Sequence, residues 1–194
     1  MNIAVFISGT GSNLKALIDA EKNGEFKSKI CLVISNRNAK GLFHGYNACI
    51  PSFAVKDDEQ ILEKLKEYKI DFIVLAGYLK QISPLILNQY RGMIINIHPS
   101  LLPKYGGKGF YGMNVHEAVF NNNEKISGVT VHYVDENLDT GKIILQRQVD
   151  ISDCKSPSEI RDRVLKMEHK TLKDAVALVE KNIDGVNLWE LYYQ

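Results

Sequence analysis

Four short, almost continuous apolar runs divide the first hundred residues: NIAVFI at 2–7, KICLVI at 29–34, DFIVLA at 71–76 and MIINI at 93–97. Runs of this length without strict alternation are strands buried on both faces, and that burial is the mark of a parallel sheet covered by helices. The intervening segments have helical character. Residues 12–22 follow a glycine turn, residues 41–49 are short and lead to a strand at 52–55, and Ile61, Leu62 and Leu65 fall at helical spacing between Asp57 and Tyr68. Pro84 suits the first turn of a further short helix. The alternation predicts an α/β chain with a mostly parallel sheet and helices on both faces.

The last third breaks this rhythm. SGVTVHYV (127–134) and KIILQRQVDI (142–151) read as strands joined by only DENLDTG (135–141). That joint is too short for a crossover helix, so the pair must be antiparallel and the sheet mixed. A long helix follows, with Ser156 as N-cap, Pro157 in the first position and Glu159 closing a capping box. A chain of 194 residues with no internal repeat or linker suits one domain.

Composition narrows the function. Lys plus Arg number 24 and Asp plus Glu 23, with no charge block, so neither nucleic acid nor a membrane surface is an expected partner. The three cysteines, Cys31, Cys49 and Cys154, lie far apart and form no C-x-x-C, as expected in a reducing compartment. The N-terminus lacks the basic segment of a signal peptide, and no run is long enough to span a bilayer. A cytoplasmic protein acting on small molecules, monomer or homodimer, is the expectation. The five histidines show neither H-x-H nor H-E-x-x-H, so no metal is expected.

Several positions carry candidate chemistry, each with a plainer reading beside it. Asn96 and His98 alternate along one strand and so share a face, at the carboxyl end where open α/β sheets bind ligands. The plain alternative ties both into loop hydrogen bonds. SGTGSN (8–13) joins the first strand to a helix, where Gly11, Ser12 and Asn13 could hold a phosphate on backbone amides or simply make a tight turn. Position 14 is Leu rather than a third glycine, and the second strand ends in Ser35-Asn36-Arg37 with no carboxylate, which disfavours NAD and leaves NADP conceivable through Arg37. Asp139 is either a turn residue or the partner of a histidine. Glu168 interrupts the helical stripe of Leu165, Leu172, Val176 and Val179, either at the edge of the core or over a pocket.

MNIAVFISGTGSNL, DFIVLAGYL, NIHPSLLPKY, GVTVHYV and LDTG, in this order, resemble the phosphoribosylglycinamide formyltransferases, folate-dependent enzymes of purine synthesis. The resemblance runs from residue 2 to about residue 180. It implies a Rossmann-like domain, residues 1–95 serving as a phosphate-binding half and 96–194 as a catalytic and folate-binding half. It implies 10-formyltetrahydrofolate as co-substrate and glycinamide ribonucleotide as acceptor. It further implies catalytic roles for Asn96, His98 and Asp139 in a direct attack: Asn96 and a protonated His98 hold the oxyanion, while Asp139 raises the His98 pKa and could help relay the amine proton through water. Gly11, Ser12 and Asn13 match the substrate-phosphate loop, and Leu165, Lys166, Met167 and Glu168 a helical segment contacting the ribonucleotide. Leu79, Lys80, Gln81 and Ile82, with Asp135, Glu136, Asn137, Leu138 and Asp139, match segments lining the folate pocket, to which Asn96 also belongs.

The chain departs from the pattern in places. Lys80 stands where an arginine is common, the loop 105–112 is long and glycine-rich, and Lys56 is the one candidate for a basic residue usual near 56–60. A formyltetrahydrofolate hydrolase resembles the same segments but usually differs at Pro99 and carries an N-terminal regulatory domain, whereas here the catalytic segment begins at residue 2. Methionyl-tRNA formyltransferase needs a further C-terminal domain and a basic surface. An NADP-binding oxidoreductase is the alternative from another class.

Overall fold

Among the described residues, seven strands form one sheet in the order β3-β2-β1-β4-β5-β6-β7. The computed structural model describes residues 1–183; residues 184–194, the end of the expected catalytic half, lie outside them. The strands are β1 (Asn2–Ile7), β2 (Lys29–Ser35), β3 (Ser52–Ala54), β4 (Phe72–Leu75), β5 (Ile94–His98), β6 (Ile126–Tyr133) and β7 (Ile143–Asp150). Those from β3 through β5 are parallel neighbours, whereas β6 runs antiparallel to β5 and β7 antiparallel to β6. The mixed sheet expected from the seven-residue joint is present.

The helices are α1 (Ser12–Lys22), α2 (Leu42–Asn47), α3 (Asp58–Glu67), α4 (Pro84–Gln89), α5 (Met113–Asn121) and α6 (Pro157–Ile183). Ile3, Val5 and Ile7 face one core layer with Leu14 and Leu17 of α1, Val115 and Val119 of α5, and Val164, Leu172 and Val176 of α6. Ala4 and Phe6 face the other, with Ile61 and Leu65 of α3 and Ile86 of α4. Strand residues buried on alternate sides in this way explain the continuous apolar runs.

Two local expectations need correction. Helix α5 was not foreseen: it is short, opens after Gly112, and its only buried apolar residues are Val115 and Val119. The capping box of α6 is displaced by one residue. Ser156 Oγ does accept from Glu159 N–H (3.3 Å), but the Glu159 carboxylate reaches back to Lys155 N–H (2.9 Å) rather than to Ser156.

The chain moves outward from β1 through β2 to β3, then returns to place β4 on the other side of β1. A crevice opens at such a reversal, outside the carboxyl ends of the strands. The loop after β5 folds back over the sheet, with Leu102 N–H donating to Thr130 Oγ1 (3.1 Å) and that hydroxyl donating to Ser100 O (2.7 Å). Among the described residues, no helix is long and apolar enough to cross a membrane.

Candidate active site

A cavity of about 850 Å³ lies at that reversal. Gly9, Thr10 and Ser12 border it after β1, Tyr78 to Ile82 after β4, Asn96 and His98 at the end of β5, and His132 with the 134–139 loop after β6. Residues 107–113 and His116 close one side, and Arg161, Leu165 and Glu168 of α6 another.

Strand register assembles the polar centre. Asn96 lies opposite His132, and His98 opposite Thr130, across the antiparallel β5–β6 pair. Asn96 Nδ2 is 3.2 Å from His132 Nε2. His132 Nδ1 is 2.7 Å from Tyr133 O, which can only accept, so Nδ1 carries the hydrogen and Nε2 accepts from Asn96. The same logic fixes His98. Its Nε2 donates to Tyr105 O at 2.7 Å, which leaves Nδ1 bare in the neutral ring and facing Asp139 Oδ2 at 3.5 Å.

Asp139 completes the centre from a strained position. Its backbone is left-handed at φ 59, a conformation costly for a non-glycine residue. Gly107 N–H donates to Oδ2 (2.9 Å), and Oδ1 lies 3.5 Å from His132 Nε2. The tight return of the 135–141 loop needs Gly141, because a Cβ there would lie 1.8 Å from Tyr133 O. A register irregularity between Val131 and His132 in the β6–β7 pairing bends the strand at this point.

The electrostatics correct one expectation. Asp139 does push the His98 pKa upward, but burial outweighs it and the net shift is downward. His98 is therefore neutral at rest, not protonated. Burial raises the Asp139 carboxyl, yet His132, His98 and the Gly107 amide together bring it below its ordinary value. The Glu168 carboxyl is pushed up by burial, with the Asn13 hydrogen bond opposing.

The expected phosphate loop lies at the start of α1, and its residues divide between the cavity wall and the layer behind it. Gly11 is the N-cap of α1, at φ 74 and without a side-chain cap, so the first-turn amides carry no side-chain partner there. A Cβ on Gly11 would sit 2.8 Å from Gly41 Cα. It is Gly9, Thr10 and Ser12 that border the cavity, while Gly11 and Asn13 stand behind them. Asn13 Nδ2 donates to Glu168 Oε2 at 2.7 Å and so ties α1 to α6. Glu168 is thus over the pocket and not a solvent-reaching edge residue. In the 165–168 segment, Leu165 and Glu168 border the cavity; Lys166 is exposed and Met167 packs against the core.

On the expected folate side, Leu79, Lys80, Gln81, Ile82, Asp135, Asn137, Leu138 and Asp139 all border the cavity. Glu136 does not: it is exposed and pairs with Arg91 at 2.7 Å. Lys80 spends its charge on Asp58 Oδ1 (2.6 Å) and on the Lys56 carbonyl (2.8 Å). Arg37, on which NADP depended, does not border the cavity and donates to Ser8 O. Among the described residues no cluster of three or more His, Cys, Asp or Glu could hold a metal.

Residue-by-residue reasoning missed His132, His116, Arg161 and the pair Gly9–Thr10. The His132 signal was available: an antiparallel neighbour of β5 must place one of its residues level with Asn96, and SGVTVHYV carries a histidine on the matching face.

The arrangement offers an amide donor, a histidine with one free nitrogen and a carboxylate beside it, next to a set of helix-terminal amides. Such a centre suits acyl transfer to an amine. Comparison with known proteins agrees. The formyl transferase family matches residues 1–176. A chloroplastic phosphoribosylglycinamide formyltransferase of Vigna unguiculata is 38% identical over 96% of this chain, which spans 64% of that protein's length. The phosphoribosylglycinamide formyltransferase of Bacillus subtilis is 37% identical over 95% of each chain. A crystal structure of phosphoribosylglycinamide formyltransferase from Bacillus halodurans superposes with a TM-score of 0.87, at 33% identity and full coverage of both chains. The chain belongs to the formyl transferase family, among its phosphoribosylglycinamide formyltransferases.

Proposed function

We propose that this protein transfers the formyl group of 10-formyltetrahydrofolate to the amine of glycinamide ribonucleotide. The observation that carries this reading is the Asn96–His98–Asp139 cluster, joined by His132, in one cleft with the uncapped start of α1. A hydrolase acting on water has no use for an anion cradle beside its reacting centre; a ribonucleotide acceptor does.

The cleft fits the co-substrate: the apolar side chains of Leu79, Ile82, Val134 and Leu138 suit a flat ring, and Asp135 and Asn137 lie beside them for its polar edge. The folate supplies the formyl group. Asn96 Nδ2 keeps one N–H on His132 and turns the other to the formyl oxygen, where negative charge grows. His98 Nδ1, left bare by the Tyr105 bond, takes the proton that the attacking amine loses and returns it to the leaving nitrogen. While it holds that proton, Nδ1 faces Asp139, which stabilises the imidazolium. Backbone amides at Gly9, Thr10 and Ser12 hold the phosphate, and Glu168 accepts from the ribose hydroxyls.

Residues 1–95 thus supply the phosphate loop and 96–194 the reacting centre, with Glu168 crossing to Asn13 between them. The partners are small molecules, and we place the protein in the cytoplasm. The test is formyl transfer measured with glycinamide ribonucleotide, water and tRNA as competing acceptors. Formylated ribonucleotide as the main product is expected; formate or formylated tRNA as the main product would overturn the assignment.

A further inference from the structure

His116 has no part in the centre described so far, yet it faces the same cavity. It lies in the first turn of α5 and is 3% exposed. Its Nδ1 is sealed from solvent without a hydrogen-bond partner, and among the described residues none bonds Nε2 either. A buried imidazole with neither nitrogen bonded is uncommon, and where such a ring borders a ligand cavity its unsealed nitrogen is the one a ligand can reach.

The ring is neutral. Burial, then the charges of Arg161 and His98, push its pKa down to about 4. A neutral imidazole has one hydrogen, and an orphaned N–H is the costlier state to seal away. The hydrogen therefore belongs on Nε2, the nitrogen that is not sealed. His116 is a single neutral donor turned to the cavity.

Its place along the cleft identifies what it meets. Glu168, Leu165 and Arg161 border the cavity from α6 at spacings of three and four, a stripe about 10 Å long. Glu168 marks the end next to Asn13 and the α1 amides. Arg161 marks the other end, with Nη1 at 4.0 Å from Met113 Sδ of α5. His116, three residues on from Met113 in α5, is at this second end. His98 and His116 border the same cavity, so an acceptor with its phosphate on α1 and its amine at His98 can bring the atoms next to the amine to His116. In glycinamide ribonucleotide those atoms are a methylene and a carboxamide.

We propose that His116 is an acceptor-recognition residue whose Nε2–H donates to the carboxamide oxygen next to the reacting amine. This rests on the acceptor reading above, and it names the feature by which the site tells a glycinamide from a plain amine. A buried donor left unpaired by the wrong ligand gives the larger part of such discrimination.

The test compares the parent enzyme with His116→Phe, which keeps the ring and removes the donor. Loss of one neutral hydrogen bond corresponds to about a tenfold rise in the KM for the ribonucleotide. The folate KM and kcat should stay near parental values. An analogue with the carbonyl replaced by methylene should bind the parent about tenfold more weakly and the variant no more weakly than the true substrate. An unchanged ribonucleotide KM in folded His116→Phe overturns the proposal, and so does a loss confined to kcat, which would put His116 on the formyl group. Should the variant not fold, ¹⁵N-histidine NMR of the unsubstituted protein decides: the His116 Nε2–H signal must shift when the ribonucleotide is added, and a static signal overturns the proposal. A parent that fails to formylate the ribonucleotide sinks both readings, whereas a parent that works beside an unaffected variant sinks this one alone.

Discussion

The cleft is built on two strand ends that solve the same problem by different means. After β1, the chain turns through Gly9, Thr10 and Gly11 and offers backbone amides. After β5, it offers the side chains of Asn96 and His98, cross-linked to His132 and Asp139. The difference follows from the neighbours. β1 lies between parallel strands and leads straight into a helix, so helix-end dipoles are what it can present. β5 has an antiparallel neighbour, whose residues lie level with its own, so two side chains can be registered against each other. Backbone suits a ligand group that only needs holding, whereas side chains suit one whose charge and protons change.

Substitutions should separate the two ends. The largest effect belongs to the side-chain end: His98→Ala should lower turnover by about 10²–10⁴, with folate binding by fluorescence titration nearly intact. Near-parental turnover in the folded variant would break the comparison. Asp139→Asn should lower turnover by about a hundredfold and also move the pH profile. His98 must be neutral to take a proton, so the acid limb falls where Nδ1 protonates. Asp139 raises that pKa against burial, so its removal should shift the limb to lower pH.

At the backbone end the effect should fall on binding. Gly11→Val meets the Gly41 backbone and an unfavourable φ, and should raise the ribonucleotide KM about tenfold while the folate KM holds. Glu168→Gln should raise the same constant by only about threefold to tenfold, because the amide can still serve one hydroxyl. Loss of thermal stability without a KM change would make Glu168 structural. The smallest effect is expected at Glu136, whose carboxylate pairs with Arg91 outside the cavity: Glu136→Ala should leave the folate KM at the parental value in steady-state assays.

The frame was legible because burial on two faces leaves a direct trace in the sequence, and a seven-residue joint admits one strand geometry. Asn96, His98 and Asp139 were legible from strand alternation and resemblance. What escaped depends on quantities that no linear pattern carries. His98 was expected charged because its partner is visible in sequence, whereas the burial that keeps it neutral is a property of the folded cleft. Gly11 and Asn13 were expected to face the ligand, but the turn directs Gly9 and Thr10 there instead. Glu136 was grouped with its loop neighbours, and only the path of the loop shows it turned outward to Arg91. Helix α5 was missed because a nine-residue stripe with two buried valines is little signal.

The longest helix has a mechanical meaning beyond packing. Near its start, the carboxylate of Glu159 holds the Lys155 amide; midway, Glu168 is fastened to Asn13; further on, Glu180 grips the Lys27 and Ser28 amides at 2.8 Å each. A rod capped at its start and anchored at two further stations resists slipping by a turn, so it acts as a fixed ruler for the acceptor. A redesign for a longer or shorter acceptor would have to move the opposite wall, where Gly107, Gly109 and Gly112 have open space around them. The jaw that can be adjusted is the glycine-rich loop; the graduated edge is α6.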